Sequence, residues 1–129
     1  MINMSEEKKI RISKSLIKLI LAAAKDIYPD EFVALLGGRK NLINEIIILP
    51  FISSGFGGIL KTDVLPIGIK VRGTAHSHPT ECLEPSDQDL EVFSRFGDVH
   101  IIVAYPFDEN SWKCYDRNGK VLEVELVEE

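Results

Sequence analysis

The spacing of apolar and polar residues changes period several times along the chain, and each change marks an element. Lys9-Ile10-Arg11-Ile12 alternates with period two, which suits a strand that opens a sheet. Leu16, Ile20, Ala23 and Ile27 then recur at helical spacing, with Ile17, Leu21 and Ala24 beside them, so the next element is a core-facing helix. Ser13 caps it in this reading, and Pro29-Asp30 stops it after about Tyr28. FVALLGG, residues 32–38, reads as a buried strand. Isoleucine-rich 42–49 is its expected hairpin partner, across a connection over Gly37 to Asn41.

Residues 51–61, with three glycines and two serines, read as a loop that becomes weakly strand-like, and 62–70 leave room for little more than a turn. An extended run through Lys70, Val71 and Thr74 continues to His78, where Pro79 ends the strand because it lacks the N–H that a ladder needs. After the loop TECLEP, Ser86 is positioned to cap a helix from Asp87 to about Phe96, with Leu90, Phe93 and Phe96 on its apolar side and Gly97 at its end. Residues 100–105 form a buried strand, and SWKCYD and VLEVELV form a closing hairpin around 117–120. The order βαβββαβββ predicts an α/β protein: one mixed, mostly antiparallel sheet with two main helices.

A chain of 129 residues is expected to be one domain, residues 1–129, burying roughly 65–70% of its unfolded surface. Its 15 Lys and Arg against 20 Asp and Glu leave a net charge of −5, which argues against a nucleic-acid face. The longest apolar run, 42–52, is broken by Asn44, Glu45 and Pro50, far short of the ~20 residues of a membrane span. The start of the chain is polar, so the expected location is the cytoplasm. Cys82 and Cys114 are too few for a disulfide framework and too far apart for a paired metal site.

The chemistry concentrates in residues 73–89, GTAHSHPTECLEPSDQD. His76 and His78, two apart on a strand, project from one face, and Asp89 at the start of the following helix returns within reach of both. Two His and one Asp leave a fourth position for water, which is the donor set of a hydrolytic zinc site. By the same alternation Ser77 and Thr74 are expected on the opposite face, as packing or supporting groups. His100 reads as a core or sheet-end residue, and Cys82 as a passive loop cysteine near the ligands. A carboxylate able to act as a base has two candidates at the junction before the second strand, Asp30 and Glu31.

An isolated His-x-His occurs by chance, but here it is followed by Pro79, six residues, Ser86, two residues and Asp89. That pattern resembles the metal-binding signature of the JAMM (MPN+) metalloprotease family, with His76, His78, Pro79, Ser86 and Asp89 each filling a motif position, and the likeness runs from Ile10 to about Val127. The resemblance implies a curved JAMM/MPN-like sheet, one zinc ion per chain held by His76, His78 and Asp89, Glu31 as general base and Ser86 as a group that helps bind the oxyanion. It also implies a deubiquitinase-like isopeptidase that cuts after the terminal Gly-Gly of a ubiquitin-like modifier. The modifier's tail would bind as an added strand, with 56–61 as the candidate edge. Processing of a ubiquitin-fold sulfur carrier and a non-catalytic MPN scaffold are the competing readings, and the sequence leaves the oligomeric state open.

Overall fold

The structure is a computed structural model that describes residues 9–48 and 70–128. Among them the chain forms β1 (Ile10–Ser13), α1 (Lys14–Ile27), β2 (Val33–Arg39), β3 (Leu42–Ile47), β4 (Gly73–His78), α2 (Asp87–Arg95), β5 (Val99–Ala104), β6 (Trp112–Tyr115) and β7 (Val124–Val127). This is the expected order of elements. The glycine-rich 51–61 segment and the turn expected over 62–69 lie outside the described residues.

Ser13 does cap α1, its Oγ accepting the Leu16 N–H at 3.3 Å. The buried stripe is Leu16, Ile17, Ile20, Leu21 and Ala24; Ile27, expected on that face, is exposed at the helix end. All seven strands join one sheet in the order β6-β5-β4-β2-β3-β1-β7. Three neighbouring pairs are antiparallel and three parallel, the β4–β5 pair among the parallel ones. β4, which carries the histidines, is therefore an interior strand, held along both edges.

The closing hairpin is only half formed. Tyr115 bridges Val121 and Leu122 donates to the Cys114 carbonyl, but β7 then leaves to pair in parallel with β1 at the other end of the strand order. One residue, Glu123, separates Leu122 from Val124, which pairs with Ile10. A flat sheet of seven strands would be roughly 29 Å across. The sheet is therefore curled until its outer strands come close, as the resemblance implied. What overrides the local hairpin signal is the unpaired edge of β1, which the apolar residues of β7 cover.

α1 packs on one face of this sheet, against Leu36, Ala75, Ile101 and Val103. α2 packs on the other, where Val92 meets Leu35 and Phe93 meets Ile102 and Tyr115. Leu90, expected on the apolar side of α2, is exposed, and Val92 takes its place because the cap turns Asp89 inward. Two glycines let the backbones approach where β4 begins: a Cβ on Gly73 would lie 1.5 Å from the Val99 carbonyl oxygen, and one on Gly97, at φ 110°, 2.3 Å from that of Arg72. The end of α2 and the start of β5 are thereby drawn against β4.

Phe93 is fully buried, stacked on His100 at a centroid distance of 4.3 Å and on Tyr115 at 6.0 Å. Phe93→Ala should lower the unfolding free energy by about 3–5 kcal/mol, read from urea denaturation. A loss below about 1 kcal/mol would mean that α2 is anchored elsewhere.

Candidate metal centre

Local rules bring the three donors together. His76 and His78 lie two apart on β4, so both rings point to the α2 face. Ser86 has extended backbone and caps α2: its Oγ accepts the Asp89 N–H at 3.1 Å, while its own N–H donates to Asp89 Oδ2 at 2.9 Å. This reciprocal box fixes the Asp89 carboxylate at the first turn, over the strand. The other carboxylate oxygen, Oδ1, lies 3.2 Å from His76 Nε2, and Oδ2 lies 3.1 Å from His78 Nε2; the two Nε2 atoms are 3.0 Å apart. His76 and Asp89 are buried, and His78 is half-buried at the mouth.

The loop after β4 sets the tautomer of His78. Its Nδ1 lies 2.8 Å from the Cys82 carbonyl, which can only accept, so the proton sits on Nδ1 and Nε2 presents its lone pair to the centre. A lone pair then faces a carboxylate oxygen at 3.1 Å. Such a pair calls for a cation between them, either a proton or a metal ion. The Asp89 hydrogen bond accordingly raises the His78 pKa, against the opposing effect of burial. Burial lowers that of His76 more than Asp89 raises it. Burial pushes the Asp89 carboxyl up, but the hydrogen bonds from His76 and His78 outweigh it and hold the group well below the usual carboxylate range.

The donor set fits a zinc-type ion. A tetrahedral centre with bonds of about 2.0–2.1 Å holds its ligand atoms about 3.3 Å apart; the two Nε2 atoms are 3.0 Å apart, and Asp89 brings Oδ1 within 3.2 Å of one and Oδ2 within 3.1 Å of the other. Among the described residues, His76, His78 and Asp89 form the one group of three such side chains whose ligand atoms lie within 4.8 Å of one another. The Cys82 thiol stands apart from this group, with its sulfur toward the Glu84 carbonyl.

The other candidates fall as follows. Val33 pairs with His76, so by register Glu31 lies opposite His78 and on the same face as the donors. Its charge favours the protonated form of both histidines. Asp30, the rival, belongs to the turn after α1, where its N–H bonds to the Ile27 carbonyl at 2.8 Å. Ser86 is exposed; its oxygen is occupied as an acceptor, and its hydroxyl hydrogen remains available to donate. Ser77 is on the α1 face as expected. Thr74 is not: it shares parity with the histidines, and its hydroxyl bonds to His100 Nδ1 at 2.7 Å. His100 is the core residue anticipated, fully buried, with Nε2 donating to the Gly97 carbonyl at 2.9 Å.

Two contacts of the site had no sequence signal, because they are made by main-chain carbonyls whose residue type is irrelevant. One is Cys82 to His78. The other is Leu83, whose carbonyl accepts the Tyr115 hydroxyl at 2.7 Å and pins the loop.

Fold and site together define a class: a curled mixed sheet between two helices, with a His-x-His strand and a helix-capping Asp converging on a hydrolytic-type metal centre. Comparison with known proteins agrees. Residues 13–115 match the model of the prokaryotic homologues of the JAB domain, and the chain belongs to that family, as a short member of the JAMM (MPN+) metalloproteases. It is 27% identical to a probable metalloprotease of Haloferax volcanii over 92% of this chain and 80% of the relative. A solved structure described as "JAMM: a metalloprotease-like zinc site in the proteasome and signalosome" is similar at 48% identity and a TM-score of 0.76, covering 93% of this chain and 99% of that one. A JAB1/MPN domain protein from Archaeoglobus fulgidus gives 48% identity and a TM-score of 0.75, covering 93% and 98%.

Beneath the centre, burial holds the His100 pKa down to about 4, against an ordinary value of 6.5. The folded chain keeps this ring neutral while the unfolded chain protonates it, so its contribution is intact above pH 6.5 and is lost as pH falls toward 4. Metal-free protein should lose about 3 kcal/mol from this residue across that window, and His100→Gln should lack that part of the slope. Urea midpoints at pH 7 and pH 4.5 measure it; the same pH dependence in both proteins would exclude the assignment.

Proposed function

We propose that the chain is a zinc-dependent isopeptidase that removes ubiquitin-like modifier proteins by cutting after their terminal Gly-Gly. The observation that carries this reading is the convergence of His76, His78 and Asp89 with Glu31 on the same face and an exposed Ser86 at the rim. Family membership adds the reaction class, and the identity of the modifier comes from the resemblance of the motif.

His76 and His78 through Nε2, and Asp89 through a carboxylate oxygen, would hold the zinc, one ion per chain. Bound there, zinc supplies an acidified water, with a pKa toward ~7, and polarises the scissile carbonyl. The chain's own residues do the rest. His78 is kept in the metal-ready tautomer by the Cys82 carbonyl, and Asp89 is kept in place by the Ser86 N–H. Glu31 removes the proton of the attacking water and returns it to the departing lysine nitrogen, which cannot leave as an anion. The Ser86 hydroxyl hydrogen, not used by its capping bond, donates to the developing oxyanion. An extended Gly-Gly tail has almost no side chains, so it can lie over the exposed rim without clashing, and added-strand binding is the mode this chemistry suits.

Three outcomes test the assignment. Replacing both His76 and His78 by Ala should abolish stoichiometric zinc, measured by metal analysis, while circular dichroism stays close to wild type; full occupancy in the double variant would remove these ligands from the site. Glu31→Gln should retain zinc and lower turnover of a modifier–Gly-Gly–reporter fusion by roughly 10²–10⁴. Ser86→Ala should lower it by about 10²–10³, beyond the ~1 kcal/mol of stability that a lost cap costs. Unchanged turnover in the serine variant would leave capping as its whole role.

A further inference from the structure

We propose that Ser77, the residue between the two histidines, is a positioning residue that fixes Glu31 at the metal centre; this rests on the reading of Glu31 as the general base. The regular β2–β4 ladder ends at the Val33–His76 pair. One step further, Phe32 faces Ser77, and the two are still joined twice, but not as a ladder would join them. The Ser77 N–H donates to the Phe32 carbonyl at 2.9 Å in the ordinary way. The Phe32 N–H, however, donates to the Ser77 side-chain hydroxyl at 2.8 Å, which stands where a ladder uses the opposite carbonyl. Ser77 is buried, with 1% of its surface exposed, so this hydroxyl is shielded from competing water.

The consequence falls on Glu31. On its other side, Asp30 is held by its N–H to the Ile27 carbonyl at 2.8 Å. Glu31 is thus the one residue between two anchored amides, and the anchor nearer the site is a side chain of the ligand strand itself. The two ligands and the base are set by one three-residue run: His76 and His78 point to the α2 face, and Ser77, pointing to the α1 face, ties down the segment that returns Glu31 to the α2 face. Loss of the hydroxyl frees the Phe32 amide and with it the height of the carboxylate over the centre. A displacement of about 1 Å at a catalytic group can cost up to 10²-fold in rate.

The test compares wild type with Ser77→Ala, Ser77→Thr, Glu31→Gln and the double variant Ser77→Ala/Glu31→Gln. In metal-free protein, amide exchange at Phe32 followed by NMR should quicken about tenfold in Ser77→Ala and recover in Ser77→Thr; unchanged exchange in Ser77→Ala overturns the clamp. With the Gly-Gly reporter, Ser77→Ala should lower kcat by about 10- to 100-fold at constant KM, and should add nothing once Glu31 is Gln. A loss of equal size in both backgrounds overturns the inference, since Ser77 would then act otherwise than through Glu31. If wild type does not cut the reporter, the isopeptidase reading fails, and cobalt-substituted protein decides the positioning role. The pH at which its visible absorption changes should move in Ser77→Ala in the direction it moves in Glu31→Gln; a transition that stays put in Ser77→Ala overturns the proposal.

Discussion

Two imidazole nitrogens stand 3.0 Å apart at the end of an interior strand, each 3.1–3.2 Å from a different oxygen of one carboxylate. The His78 Nε2 lone pair and the carboxylate oxygen it faces would turn away from each other toward water, because neither has a hydrogen to offer the other unless a proton or a metal ion lies between. Holding them together therefore needs rigid supports on every side. β4 lies between β2 and β5 and cannot shift, α2 is locked by its capping box, and the loop between them is pinned by His78 and Tyr115. The site and the fold are in this sense one structure.

The same supports explain where water is kept out. Phe93 stacks on His100 and lies 6.5 Å from His76, so the inner half of the centre is walled by aromatic rings. There His76 is buried and favours its neutral form, whereas His78, at the mouth, has its protonated form favoured by Asp89. A buried donor on the inside and a half-buried one at the mouth suit a metal ion whose remaining position faces the substrate side.

The curled sheet bears on the site less directly. Joining β7 to β1 leaves β1 and β3 packed over α1, and α1 delivers the Ile27–Asp30 turn from which Glu31 returns to the strand ends. A hairpin that simply closed on β6 would have left β1 as a bare edge.

The sequence by itself determined the elements and the donors. Periodicity, caps and glycines placed both helices and the seven described strands, because those signals act over a few residues. The spacing His76, His78, Asp89 expressed the metal chemistry, because alternation and a helix cap are local rules. What only the tertiary structure decided were relations between distant segments. Among these are the pairing of β7 with β1 instead of β6, the burial of Val92 in place of Leu90, the register that sets Glu31 opposite His78, and the use of the Cys82 carbonyl to orient His78. Each depends on strand register or on main-chain groups that every residue carries, and a one-residue change of register reverses the face of every side chain. No local pattern encodes that choice; the packing of two helices on opposite faces of one sheet does.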